Sequence, residues 1–133
     1  MKSAVDSSAL FAILRGESTA DHWLDIMITQ AAKGELVICD IVAAEISIAF
    51  DNYAEFRATL KKLSLRLDPL TTETSFIAGE IYRAYRKHGG KRERIIPDFI
   101  VGAHALKQCD VLIAADRGFY REYFRGVTVL GVD

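Results

Sequence analysis

Little in this chain marks it for the commoner specialised classes of protein. It has only 2 cysteines, Cys39 and Cys109, both in apolar surroundings and without C-x-x-C spacing. A zinc site or redox motif is therefore not expected, and both read as buried thiols. Its apolar runs are broken by charged or turn residues well short of the roughly 20 residues needed to cross a bilayer. The opening Met1-Lys2-Ser3-Ala4-Val5-Asp6 leads into a strand-like segment that ends in an acid. No secretory signal has that form, so the expectation is a cytoplasmic protein without membrane association. A net charge of -1 and a pI near 6.3 exclude a strongly basic, sequence-blind nucleic-acid binder. There is no internal repeat, no low-complexity segment and no linker.

What is present suits one compact unit. At 133 residues, 50% of them hydrophobic, the chain is expected to form a single domain over 1–133. Such a domain buries roughly two-thirds of its unfolded surface. Short apolar strands alternate with helices, which predicts an α/β fold with a largely parallel sheet. The strands are read at Lys2 to Val5, Leu36 to Cys39, Leu65 to Leu67, Val111 to Ala114 and, at one edge, Val127 to Leu130. Ser7-Ser8 are expected to cap a helix from Ala9, and Ser18 to open a second with Trp23, Met27 and Ala31 on one stripe. Asp40 is expected to cap a third, Ile41 to Phe50, apolar nearly all round and therefore buried. An exposed helix follows from Asn52 to Leu63. The long helix ending at His88, before Gly89-Gly90, has Phe76, Ile77, Ile81, Ala84 and Tyr85 as its core stripe. A last apolar helix runs from Asp98 to Gln108.

Four carboxylates stand where charge is out of place. Asp6 follows the first strand, Asp116 follows the fourth, Asp98 opens an apolar helix after Pro97, and Glu45 is the one interior charge of the third helix. Three of them have a structural alternative. Asp6 and Asp98 suit helix N-termini, and Glu45 could pair with an arginine, although no basic residue lies three or four positions away on its helix. Open α/β sheets place ligands at the carboxyl ends of their strands, where these acids can converge. Carboxylates about 4 Å apart repel by roughly 1 kcal/mol in water and about 4 kcal/mol at an effective dielectric of 20, so a cluster needs protons or cations. Oxygen-only ligands favour Mg²⁺ or Mn²⁺ over Zn²⁺. The chemistry this suits is phosphodiester hydrolysis, in which one cation acidifies the attacking water and a second, roughly 3.5–4 Å away, stabilises the leaving oxygen.

Once the four acids are set aside from the net charge of -1, the remainder of the chain carries +3, which can hold a polyanion. The densest basic stretch, Lys91-Arg92-Glu93-Arg94, is either a solvated loop or a lip that grips phosphate beside the acids. Arg92, Arg94 and Arg117 are the candidate residues for holding such a polyanion. His22, His88 and His104 all read as exposed or structural. His104 in particular reads as a satisfied interior or edge histidine.

The segments Val5-Asp6-Ser7-Ser8, Ala44-Glu45, Pro97-Asp98-Phe99-Ile100-Val101-Gly102-Ala103-His104-Ala105 and Ala115-Asp116-Arg117-Gly118-Phe119 resemble, in this order, the PIN-domain nucleases. They are most similar to the VapC-type toxins of toxin–antitoxin pairs. The resemblance spans essentially the whole chain. It implies a three-layer α/β/α sandwich with a mostly parallel central sheet, metal-dependent ribonuclease activity, a homodimer, and inhibition by a cognate antitoxin protein. It also implies that Asp6, Asp98 and Asp116 bind metal, that Glu45 binds or orients metal and water, and that Ser7 is a supporting hydroxyl. One departure is Ala114, where many relatives carry Thr or Ser; Ser7 or Ser8 is the available replacement. Two other classes compete: a catalytically weakened interaction module of the same fold, and an aspartyl-phosphate phosphotransferase or receiver-type domain. The second lacks the lysine it needs at a later strand end.

Overall fold

The structure is a computed structural model that describes residues 1–91 and 94–132. Its strands are β1 (Lys2–Val5), β2 (Glu35–Ile38), β3 (Leu65–Leu67), β4 (Val111–Ile113) and β5 (Thr128–Leu130). They form one sheet in the order β3-β2-β1-β4-β5, and every pairing is parallel. Ala4 stands level with Val37 on one side and Leu112 on the other. Ser3 to Val5, Leu36 to Ile38 and Val111 to Ile113 are all buried, so residues of both strand faces are covered. That is why these strands are continuous apolar runs rather than alternating ones.

The helices are α1 (Ser7–Leu14), α2 (Ala20–Ala31), α3 (Asp40–Ser47), α4 (Tyr53–Lys62), α5 (Thr72–Lys87), α6 (Ile96–Gln108) and α7 (Arg117–Tyr123). From β1 the chain steps outward to β2 and β3, then crosses back to β4 and β5. Right-handed crossovers place α1 to α4 on one face and α5 to α7 on the other. Aromatic packing fits that division. Phe99 of α6 is fully buried, with its ring centroid 5.1 Å from Tyr82 and Tyr85 of α5 and 5.4 Å from Phe119 of α7. Gly102 permits the approach, since a Cβ there would lie 2.4 Å from the ring of Phe124. No helix among the described residues is long and apolar enough to cross a membrane.

Several local expectations are corrected. Asp6, not Ser7 or Ser8, caps α1, because its carboxylate accepts from Ser8 N at 3.3 Å. Helix α2 begins at Ala20 rather than Ser18, and α6 begins at Ile96 rather than Asp98. Helix α3 is not buried all round. Val42 and Ile46 turn inward, whereas Ala44, Glu45 and Ser47 are exposed and Ile48, just beyond the helix, is 80% exposed. On α5, Thr74, Ala78 and Tyr85 face the core, while Phe76 is 66% exposed. Ala31 is exposed as well, and Gln30 takes the inward place beside Trp23 and Met27. Cys39 is buried, but Cys109 is only half-buried.

Candidate active site

Strand β1 occupies the switch point of the sheet, where connections leave for opposite faces. Asp6 follows it directly. The half-buried carboxylate accepts the Ser8 hydroxyl at 2.6 Å as well as the Ser8 amide. The same hydroxyl accepts the Ala115 amide at 3.1 Å. Ser8 therefore ties the acid after β1 to the segment after β4. Burial pushes the Asp6 carboxyl up; hydrogen bonds from Ser8 and Ser7 oppose this, and the charge of Asp98 adds to it.

Asp98 lies in the first turn of α6, where Pro97 suits the helix start and the acid its positive end. Its carboxylate accepts the Ile95 amide at 3.1 Å. Glu45 comes from α3. Although the residue is exposed, desolvation of its carboxyl raises its pKa, the Ser7 hydroxyl bond lowers it, and the charges of Asp6 and Asp98 raise it. Asp6, Glu45 and Asp98 thus share one electrostatic neighbourhood. The expectation that Glu45 is a lone charge sealed in a helix interior is overturned, because α3 presents that side to solvent.

Asp116 stands at the N-cap of α7 in the left-handed region, with φ 56° and ψ 48°. A non-glycine residue in that region is uncommon, and such strain gathers at functional sites. Its carboxylate is ion-paired with Arg94, whose guanidinium lies 4.2 Å from the centroid of the Phe119 ring. Arg94 is therefore turned toward an acid rather than outward as a free lip. Arg117 lines a separate hollow with Asp25, Thr29 and Leu130. Arg92 lies outside the described residues. Larger hollows, of about 710 Å³ beside α4 and β3 and about 520 Å³ beside the end of α5, are not lined by the four acids.

Two residues escape a reading of the sequence. Ser8 appears there only as a cap or a stand-in hydroxyl, since its tie to Ala115 is a contact across 107 positions. Tyr120 is 4% exposed, and its hydroxyl is held protonated, first by burial and then by the charges of Asp6 and Asp98. Its one visible signal is the spacing from Asp116, one turn along α7. His104 is buried and bonded to Asp68 at 2.8 Å, as an interior histidine should be.

Asp6 and Glu45, whose pKa values are raised by burial and by neighbouring acids, belong to a donor set that a hard divalent cation relieves. Oxygen is the only ligand atom that the four acids offer, so their chemistry fits such a cation. A parallel α/β sheet with acids converging at its switch point defines a class of acid-centred α/β domains.

Within that class the chain belongs to the PIN domain family, which matches residues 4–124. PIN domains are in general nucleases that use divalent metal. The fold is similar to that of a chain in VapBC2 from Rickettsia felis, solved on a promoter DNA fragment, with a TM-score of 0.77, 16% identity and 100% of both chains covered. It is also similar to a chain of VapBC-1 from nontypeable Haemophilus influenzae, with a TM-score of 0.73, 15% identity and 98% of both chains covered. A third likeness is to DNA-bound VapBC from Salmonella typhimurium, with a TM-score of 0.68, 14% identity and 98% of both chains covered. No curated protein sequence matches the chain.

Proposed function

We propose that residues 1–133 form a single-domain, Mg²⁺- or Mn²⁺-dependent endoribonuclease, the toxin of a toxin–antitoxin pair. The observation that carries this reading is the shared field of Asp6, Glu45 and Asp98 at the switch point of the sheet, with Asp116 on the adjoining strand end. Asp6, Asp98 and Asp116 would hold the cation, with Glu45 orienting water. A bound divalent cation supplies Lewis acidity, activating water for attack on phosphorus and stabilising the leaving oxygen. Ser8 holds Asp6 in place, Ser7 steadies Glu45, and Tyr120, buried within the field of the acids, keeps its hydroxyl protonated. Arg94 is near enough to trade its ion pair with Asp116 for a substrate phosphate once a cation takes that acid.

Ala114 is fully buried, so a hydroxyl on that side chain has no route to solvent. The Ser8 hydroxyl stands at the neighbouring amide instead. That supports an intact catalytic site over a weakened interaction module. The VapBC and FitAB complexes among the structural neighbours support an antitoxin partner. A homodimer and a cytoplasmic location belong to the same reading.

The test is cleavage of a mixed RNA pool with Mg²⁺, with Mn²⁺ and with EDTA, beside Asp98→Asn. Cleavage that needs metal and disappears in the variant is expected. Cleavage in EDTA, or undiminished in the variant, refutes the assignment.

A further inference from the structure

A second group of ligating atoms shares no residue with the four acids. Asp68 follows β3 and is 6% exposed, His104 in α6 is 1% exposed, and Cys109 is the half-buried C-cap of that helix. Their nearest Oδ, Nε2 and Sγ atoms all lie within 4.8 Å of one another. His104 Nε2 is 2.8 Å from Asp68 Oδ2 and 3.8 Å from Cys109 Sγ. A tetrahedral zinc ion, with bonds of about 2.0 Å to N and O and about 2.3 Å to S, sets N and O roughly 3.3 Å apart and N and S roughly 3.6 Å apart. Those two separations lie within about half an ångström of these values, and the carboxylate and sulfur, within 4.8 Å of each other, have to approach to roughly 3.6 Å, a shift for side-chain rotation to supply.

We propose that Asp68, His104 and Cys109 form a binding site for a borderline-soft divalent cation of the zinc or cobalt type, with water completing the tetrahedron. Thiolate, imidazole and carboxylate together select such an ion against Mg²⁺ or Mn²⁺, the ions suited to the four acids. The surroundings fit a ligand set that needs orienting. Lys2 Nζ holds the other carboxylate oxygen, Oδ1, at 3.0 Å, with an Arg66 nitrogen 3.8 Å from it. Oδ2 is left facing His104, steadied by Gln108 Nε2 at 3.1 Å. This is the outer-shell support that metal ligands commonly have. The C-terminal end of α6, where Cys109 sits, favours positive charge. Burial pushes the Cys109 thiol up to about 12, so it keeps its proton until a cation displaces it. One carboxylate and one thiolate then neutralise the two charges of the ion.

The experiment titrates the metal-stripped full chain with Co²⁺ and follows absorption. Thiolate-to-cobalt charge transfer in the near ultraviolet reports a sulfur ligand, which the four acids cannot supply. One equivalent per chain is expected to develop that band together with tetrahedral d–d bands, and Zn²⁺ to abolish them. Cys109→Ser is expected to lose the band, and Asp98→Asn to retain it. In the unaltered chain, Zn²⁺ is expected to protect Cys109 from alkylation, read by peptide mass spectrometry; this needs no variant to fold. Absence of the charge-transfer band, its persistence in Cys109→Ser, or unprotected alkylation of Cys109 overturns the proposal. None of these readouts depends on RNA cleavage.

Discussion

Replacing Ser8 by alanine removes one oxygen with two partners, Asp6 at 2.6 Å and the Ala115 amide at 3.1 Å. The amide belongs to an exposed residue and can turn to water. Asp6 is half-buried and cannot be resolvated as easily. A hydrogen bond to a charged group contributes about 1.5–3 kcal/mol. Loss of a group that orients a metal ligand weakens metal affinity or activity by roughly 10- to 100-fold, equivalent to about 1.4–2.7 kcal/mol. The two magnitudes agree, so Mn²⁺ affinity is expected to fall by about 10- to 100-fold in Ser8→Ala. The Ser8 amide still caps from the backbone, so the helix itself is little changed. The acid limb carries a second signature. Burial raises the Asp6 pKa and the Ser8 bond lowers it, so losing that bond raises it further. Metal binding needs the ionised carboxylate, and the pH at which binding fails must therefore move upward. Calorimetric titration with Mn²⁺ at several pH values measures both effects. Unchanged affinity together with an unmoved acid limb would refute the assigned role of Ser8.

Arg94→Ala removes the cation paired with Asp116; such a half-exposed pair is worth about 0.2–1 kcal/mol, so Mn²⁺ should bind up to about 5-fold tighter while KM for RNA rises. Weaker Mn²⁺ binding in that variant, measured by calorimetry, contradicts the competition. Asp6→Asn keeps a good helix cap and deletes a buried charge, so in EDTA it should stabilise the chain at pH 8. With its folded pKa raised, Asp6 contributes stability that is full below its unfolded value and lost as pH rises through the folded one. Urea unfolding should therefore show the gain from Asp6→Asn shrinking from pH 8 to pH 5; a gain that grows instead reverses the sign and sinks the argument. Gly102→Ala drives a Cβ against Phe124 and should cost about 1–2 kcal/mol after its helix-propensity gain, lowering Tm by roughly 3–10 °C. Gly79→Ala in α5 meets nothing within 4 Å and should instead raise stability by about 0.5–1 kcal/mol; scanning calorimetry of the pair checks both directions.

The sheet was legible because β1, β2 and β4 are buried apolar runs, and such runs need no partner to be identified. Asp6, Asp98 and Asp116 could be picked out because each interrupts apolar sequence where a strand or helix turns. Glu45 was singled out as a candidate for the wrong reason: its helix looked sealed, yet only Val42 and Ile46 are buried. On α5 the large residues mislead, since small Thr74 and Ala78 fill the inward face while Phe76 looks out. Asp68 carries no local signal, because its partners, Lys2, His104 and Gln108, are 36 to 66 positions distant. What stayed hidden is the set of polar contacts between remote segments, for which local pattern carries no signal.

The tie between Ser8 and Ala115 also sets a clock. Strand β4 must lie beside β1 before that bond exists, and translation proceeds at about 5–20 residues per second, so some 5–20 s separate the making of the two partners. Through that interval the nascent chain holds its first acid without the last. The acids at the ends of β1 and β4 are brought to the same edge of the sheet only when β4 docks.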